Sequence, residues 1–322
     1  AGGAEGGAGR AQASSHAHAS IDGRASTLPR YKQRARVQAA PPASRPALWP
    51  VFVAYVVAFF LVLVASSAYL LAPAVWHGER NPARIADQAL GFALSAPGLL
   101  GVALVSASML GGVALVTGRL LGRGVAARLA AGPTRARPAG IAAAVVGLAG
   151  LSLACGSAAQ LAGLSKESVT ESIALALHSS SPTRILAAVL CIGVAPAFAE
   201  EGFFRGLMQT RLRTRWSRWP AIVVTALAFG AFHVDPVQSS EAFVAGVFLG
   251  WLADRFGGIR PTIAAHAFNN AMFAVFASLA SSDEPGGRSV TLGALLGGLV
   301  VFAGAAAVLR SRHAVTASRS AA

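Results

Sequence analysis

Two adjacent carboxylates, Glu200 and Glu201, stand inside an apolar block that reads Ala195-Pro196-Ala197-Phe198-Ala199-Glu200-Glu201-Gly202-Phe203-Phe204-Arg205. The remaining acids fall in links, at the ends of apolar blocks or in the N-terminal segment. A charged side chain at the centre of a spanning helix costs about 2.5–3.5 kcal/mol on insertion scales, so acids kept there mark a polar interior or a reaction site. Successive residues of a helix point about 100° apart, so the two carboxylates cannot face one spot equally. Glu201 and Arg205 are four apart and can pair along one face. Glu200 is then left without a local cation and is suited to serve as a general base.

Five of the seven histidines lie in tails or links, but His233 and His266 do not. His233 ends Phe229-Gly230-Ala231-Phe232-His233, and His266 begins His266-Ala267-Phe268-Asn269-Asn270. His266 and Asn270 share a helical face, so both can project into one cavity. Two histidines, an amide and two carboxylates on three neighbouring helices match a general base, a proton carrier and donors for an oxyanion. The plainer alternative is a polar cluster that holds helices together, since lone membrane histidines commonly make interhelical hydrogen bonds.

The elements that must position these groups are membrane spans. The 322-residue chain is 54% hydrophobic and only 12% charged, which excludes a disordered chain and argues against an ordinary soluble enzyme. Apolar blocks long enough to cross, or nearly so, fall near 50–71, 89–117, 139–163, 185–208, 220–234, 241–257, 261–281 and 290–309. The block at 89–117 contains Pro97 and is expected to be tilted, kinked or extended. Cys155 and Cys191 lie in apolar stretches without metal-ligand spacing, and are expected as buried single thiols. Residues 1–47, rich in Ala, Gly, Ser and Pro, read as a disordered basic tail. Residues 48–310 read as the bundle and 311–322 as a short second tail. The first apolar run begins near residue 49 and is long enough to span, so it is expected to stay as a helix rather than be removed as a leader.

The net charge of +14 is a topology signal. Counting alternate links, 21 basic residues fall on one side and five on the other, with Arg205 inside a block. The rule that cytoplasmic loops carry the Lys and Arg excess then places both termini in the cytoplasm and requires an even number of spans. Nucleic-acid binding is not expected, because no basic face is interleaved with aromatic residues. The tail arginines are expected to set topology, with attraction to anionic lipid as the alternative.

Glu200-Glu201-x-x-x-Arg205, Phe229-x-x-x-His233 and His266-x-x-x-Asn270, in this order, resemble the three-part signature of the CPBP intramembrane proteases. These are relatives of the type II CAAX prenyl endopeptidase and of bacteriocin-processing and immunity proteins. The resemblance covers about 185–281; the first three spans and the tails carry no matching motif. It implies an all-α, polytopic core of eight helices with its site toward the cytoplasm. It also implies roles: Glu200, helped by His233, activates water; His266 and Asn270 stabilise the oxyanion; Glu201 and Arg205 hold their helix in register. The family is often labelled metalloprotease, and His233 and His266 with Glu200 or Glu201 are candidate ligands for a divalent ion such as zinc. No His-Glu-x-x-His run supports that, and the sequence does not require a metal.

The expected activity is hydrolysis of a peptide bond near the C-terminus or membrane edge of a membrane-associated protein or peptide. The expected place is the cell membrane, in a bacterium by the Arg-, Ala- and Gly-rich composition. A non-proteolytic scaffold or immunity protein, and a transporter using Glu200 as a proton site, are the alternatives. Small residues at Gly193/Ala197, Gly246/Gly250 and Gly293/Gly297 are expected to let helices approach closely. One mismatch stands. At 1.5 Å per residue His266 is about 9 Å along its helix from Arg260, while His233 is about 20 Å from Pro220. Either the fifth span starts later, is tilted, or is preceded by an interfacial segment holding Trp216 and Trp219.

Overall fold

The computed structural model describes residues 46–122, 125–165, 168–178, 180–279, 288–311 and 314–315. Most of the expected tails, 1–47 and 311–322, lies outside the described residues. Every regular element among the described residues is a helix, so the chain is an all-α, multi-pass membrane protein. Six helices are long and apolar enough to cross a bilayer: α1 (Trp49–Trp76), α3 (Ala96–Leu120), α5 (Pro138–Leu161), α7 (Pro182–Leu212), α10 (Arg260–Leu279) and α11 (Arg288–Arg310). Between them lie α2 (Pro82–Ala93), α4 (Val125–Arg128), α6 (Val169–Leu177), α8 (Arg218–Ala231) and α9 (Pro236–Phe256).

The block at 89–117 is not one bent span but parts of two helices. Ser95 leaves the helical conformation and its hydroxyl accepts from Gly98 N (3.2 Å), with Pro97 in the first turn of the new helix. That is the chemistry of a helix start, so α2 ends and α3 begins there. Among the expected eight spans, α8 has 14 residues, about 21 Å, which is short of a hydrocarbon core of about 30 Å. Helix α9 has the length but carries more polar side chains. These two form an antiparallel hairpin, and the eight-span expectation rests on it.

Glycines set how the hairpin packs. Gly230 abuts Ser239 and Phe243, Gly246 abuts Ala226 and Phe229, and Gly250 abuts Ile222. Gly193 of α7 lies against the backbone of Ala271 in α10. The last expected small pair is corrected: Gly293 and Gly297 face open space, and the close crossing of α11 with α5 is made by Gly298 against Gly150.

Helix α7 is continuous for 31 residues but not uniformly wound. Val189–Val194 and Glu201–Gln209 are π-helical, flanking an α-helical Ala195–Glu200. Pro196 offers no N–H and its ring crowds the carbonyl four residues back, which the wider preceding turn accommodates. In the second wide segment the Thr210 hydroxyl donates to Arg205 O (3.0 Å), five residues back. Every residue from Glu201 to Gln209 is buried. Phe203, Phe204, Leu207 and Met208 join one apolar core with α1, α3 and Phe229. A second core is built from α5, α9, α10 and α11 around Leu148, Leu249 and Phe256.

Candidate active site

Helix α7 brings one carboxylate into the protein and leaves its neighbour at the edge. The Glu201 side chain is 0% exposed and that of Glu200 19%. Arg205 Nη1 donates to Glu201 Oε1 at 2.7 Å, the pairing expected from the four-residue spacing. Arg205 Nη2 donates to Gly246 O (3.3 Å) and one turn on Gln209 Nε2 donates to Gly250 O (2.8 Å). A third turn on, Arg213 Nε meets Asp254 Oδ1 at 2.9 Å. These partners are each 41 residues apart, so α7 and α9 run parallel in a fixed register. Glycine is needed twice: a side chain at Gly250 would meet the Gln209 amide, and one at Gly246 would meet Ala226 and Phe229 of α8. Gln209 has no part in the sequence motif, although the step 201, 205, 209 marks it as the next residue on that face.

His266, on α10, joins the two carboxylates. Its Nδ1 lies 3.0 Å from Glu201 Oε1 and its Nε2 3.6 Å from Glu200 Oε2. A carboxylate only accepts, so Nδ1 carries the proton and Nε2 is the atom turned to Glu200. Asn270, one turn on, accepts a long hydrogen bond at Oδ1 from Asn269 Nδ2 (3.5 Å), which leaves its own amide hydrogens to other acceptors.

His233 follows the end of α8, where Nδ1 lies 2.9 Å from Phe229 O and donates to it, again placing the lone pair on Nε2. The next residue, Val234, has φ +67°, a left-handed conformation unusual for a β-branched residue, and Asp235 then starts α9 by accepting from Gln238 N (2.7 Å). Phe229 is the shared surface of the site. Its ring is edge-to-face with His233 (4.9 Å) and with His266 (5.9 Å), and the Arg205 guanidinium lies 4.3 Å from its centroid.

This arrangement narrows the depth mismatch. Phe229 is one turn, about 6 Å, nearer the arginine-rich end than His233, and it is Phe229 that meets His266. The start of α10 is also set in beneath the link before α5: Ile259 N donates to Ala130 O and Arg260 Nε to Ala131 O. Trp216 packs against the first core just before α8, while Trp219 lies within the first turn of α8 and is exposed.

The donor set does not suit a divalent cation. No three His, Cys, Asp or Glu side chains among the described residues are grouped to hold one. The Nδ1 hydrogen bonds of His233 and His266 leave their Nε2 lone pairs open, but Glu201 already serves the buried Arg205 guanidinium, which would repel a cation. Glu241, expected at a span end, is in α9, half-buried, with Oε1 facing Gly156 of α5.

Residues 182–272 match the family model described as type II CAAX prenyl endopeptidase Rce1-like. This is the family that the three-part signature resembles, and the matched stretch holds Glu200, Glu201, Arg205, His233, His266 and Asn270. No curated protein and no solved structure matches the chain.

Proposed function

We propose that the chain is an intramembrane endopeptidase in which Glu200 activates the water. The observation that carries this reading is His266 held between two carboxylates of unequal burial, inside the matched segment. Glu200 takes a proton from water, and the oxygen attacks the scissile carbonyl carbon. Across 3.6 Å the proton can pass to His266 Nε2, which then donates to the oxyanion while Glu201 balances the new imidazolium charge. Asn270 supplies a second donor. When the intermediate collapses the proton leaves with the amine, and His233 Nε2, on the Phe229 face, is the second proton acceptor within the site.

The substrate in this reading is a membrane-associated protein or peptide cut near its C-terminus or the membrane edge. The site then faces the cytoplasm, the side of the arginine excess. A scaffold reading accounts for Glu201, Arg205 and Gln209, which tie α7 to α9, but gives no use for Glu200 at the edge beside His266. Purified wild-type protein and Glu200→Ala are each incubated with a membrane proteome, and new termini are read by mass spectrometry. Termini that vanish in a folded variant support the protease; a folded variant with unchanged termini moves the reading to the scaffold.

A further inference from the structure

The reversal of direction between α8 and α9 falls on one residue, Val234. On the α8 side His233 is fixed twice, its N–H donating to Gly230 O (3.0 Å) and its Nδ1 to Phe229 O (2.9 Å). On the α9 side Asp235 is fixed by the helix it starts. Its carboxylate accepts from Gln238 N (2.7 Å), its carbonyl from Ser239 N (2.7 Å), and Pro236 after it holds its backbone extended. The two helices are in turn held by the close approach of Gly230 to Ser239 and of Gly246 to Ala226. Val234 therefore closes the gap alone. It does so at φ +67°, with Asp235 N donating to His233 O at 2.7 Å, a γ-turn of the positive-φ kind, which is rare and strained. Glycine and asparagine enter that region readily, whereas a β-branched residue is an outlier there, kept only where the surroundings dictate it. Packing gives no reason for the valine, whose side chain is 73% exposed.

We infer that Val234 is a positioning residue for His233, and that its strained turn holds the imidazole in one tautomer and one orientation. A valine has few backbone conformations, and the fixed ends leave it only this one. A glycine has many, several of which fit between the same ends. The effect falls on His233 because its carbonyl is one end of the turn while its ring bonds the carbonyl four residues back. With the peptide after it held still, Nδ1–H stays on Phe229 O and Nε2 keeps its lone pair. The use of this rests on the protease reading, in which Nε2 is the second proton acceptor. A ring free to turn over would present N–H in its place.

An exchange at so exposed a position acts on the backbone and leaves the packing alone, so Val234→Gly and Val234→Asn separate rigidity from strain. Both residues accept φ +67°, so both variants should fold, and asparagine should raise the thermal midpoint in detergent. A midpoint lowered by both would show an unstrained valine and overturn the inference. The tautomer is read without substrate, in the nitrogen NMR spectrum of protein carrying isotope-labelled histidine, with the His233 signals assigned by their loss in His233→Gln. The wild type should show a protonated Nδ1 and a bare Nε2; Val234→Gly should cut the share of that form at least about twofold, and Val234→Asn should restore it. In turnover, glycine should lower kcat about tenfold with KM unchanged, and asparagine should recover it. An unchanged tautomer in Val234→Gly overturns the inference whatever the protein hydrolyses. So does an equal loss in both variants, which would assign the effect to the valine side chain. A shifted tautomer with unchanged kcat overturns the use in the reaction. Absence of hydrolysis in the wild type and every variant counts against the protease reading alone, since the His233 signals still decide the turn.

Discussion

Glu200 and Glu201 are the same residue type one position apart, yet they belong to two different regions of the molecule. The Glu201 side of α7 is closed: Arg205, Gln209, Gly246 and Gly250 form a ladder of buried bonds that fixes one helix against another. The Glu200 side is open, with a partly exposed carboxylate, His266 at a distance longer than a hydrogen bond, and Asn270 with amide hydrogens to spare. The difference teaches that the closed side is a frame for the open one. His266 is the joint between them, because a single imidazole meets the ladder at Nδ1 and faces Glu200 at Nε2.

The comparison breaks most sharply at Glu200. Glu200→Gln should lower turnover by about 10²–10⁴, the share a positioned general base supplies, while the thermal midpoint in detergent stays put. A loss of stability with the activity would instead place Glu200 in the frame. On the other side the outcome reverses. Arg205→Met leaves the Glu201 charge buried and uncompensated, and should destabilise by about 3–5 kcal/mol in a detergent unfolding titration. The pair Glu201→Met with Arg205→Met removes both charges and should recover much of that loss but not the activity, since His266 loses its anchor. A double variant no more stable than the single would show that the ladder is not held by charge.

Smaller effects sharpen the frame. Gly246→Ala puts a methyl 3.1–3.2 Å from Ala226 and Phe229, and should cost about 1–3 kcal/mol. Gly297→Ala meets nothing within 4 Å and should be neutral or stabilising by about 0.5–1 kcal/mol, as expected for a helix-interior glycine without a packing role. Equal costs at the two positions, measured by the same unfolding titration, would sink the distinction between a closely packed glycine and an idle one.

Much of this division was legible in the sequence. The four-residue spacing of Glu201 and Arg205 carried their pairing, and the lack of a local cation singled out Glu200. Hydropathy located the long spans. It missed the break at Ser95 because a serine cap followed by proline costs a hydropathy window almost nothing, while it redirects the backbone completely. Gly246 and Gly250 were visible as a small-residue step, but their use of bare carbonyls as acceptors depends on which helix lies opposite, and that is a long-range fact. The same holds for Gly293 and Gly297, whose spacing fits a contact that Gly298 and Gly150 make instead. Phe229 was visible only as the first letter of a motif; that one ring touches both histidines and Arg205 follows from the short α8 and the inset start of α10.

The register of 41 residues between the ladder partners also has a meaning in time. Arg205 finds its first partner, Glu201, on α7 itself, but its second acceptor, Gly246 O, is synthesised 41 residues later. At about 5–20 residues per second the missing partner arrives roughly 2–8 s later. For that interval the Glu201–Arg205 pair has no backbone acceptor from α9, and the ladder is completed only when the hairpin of α8 and α9 follows.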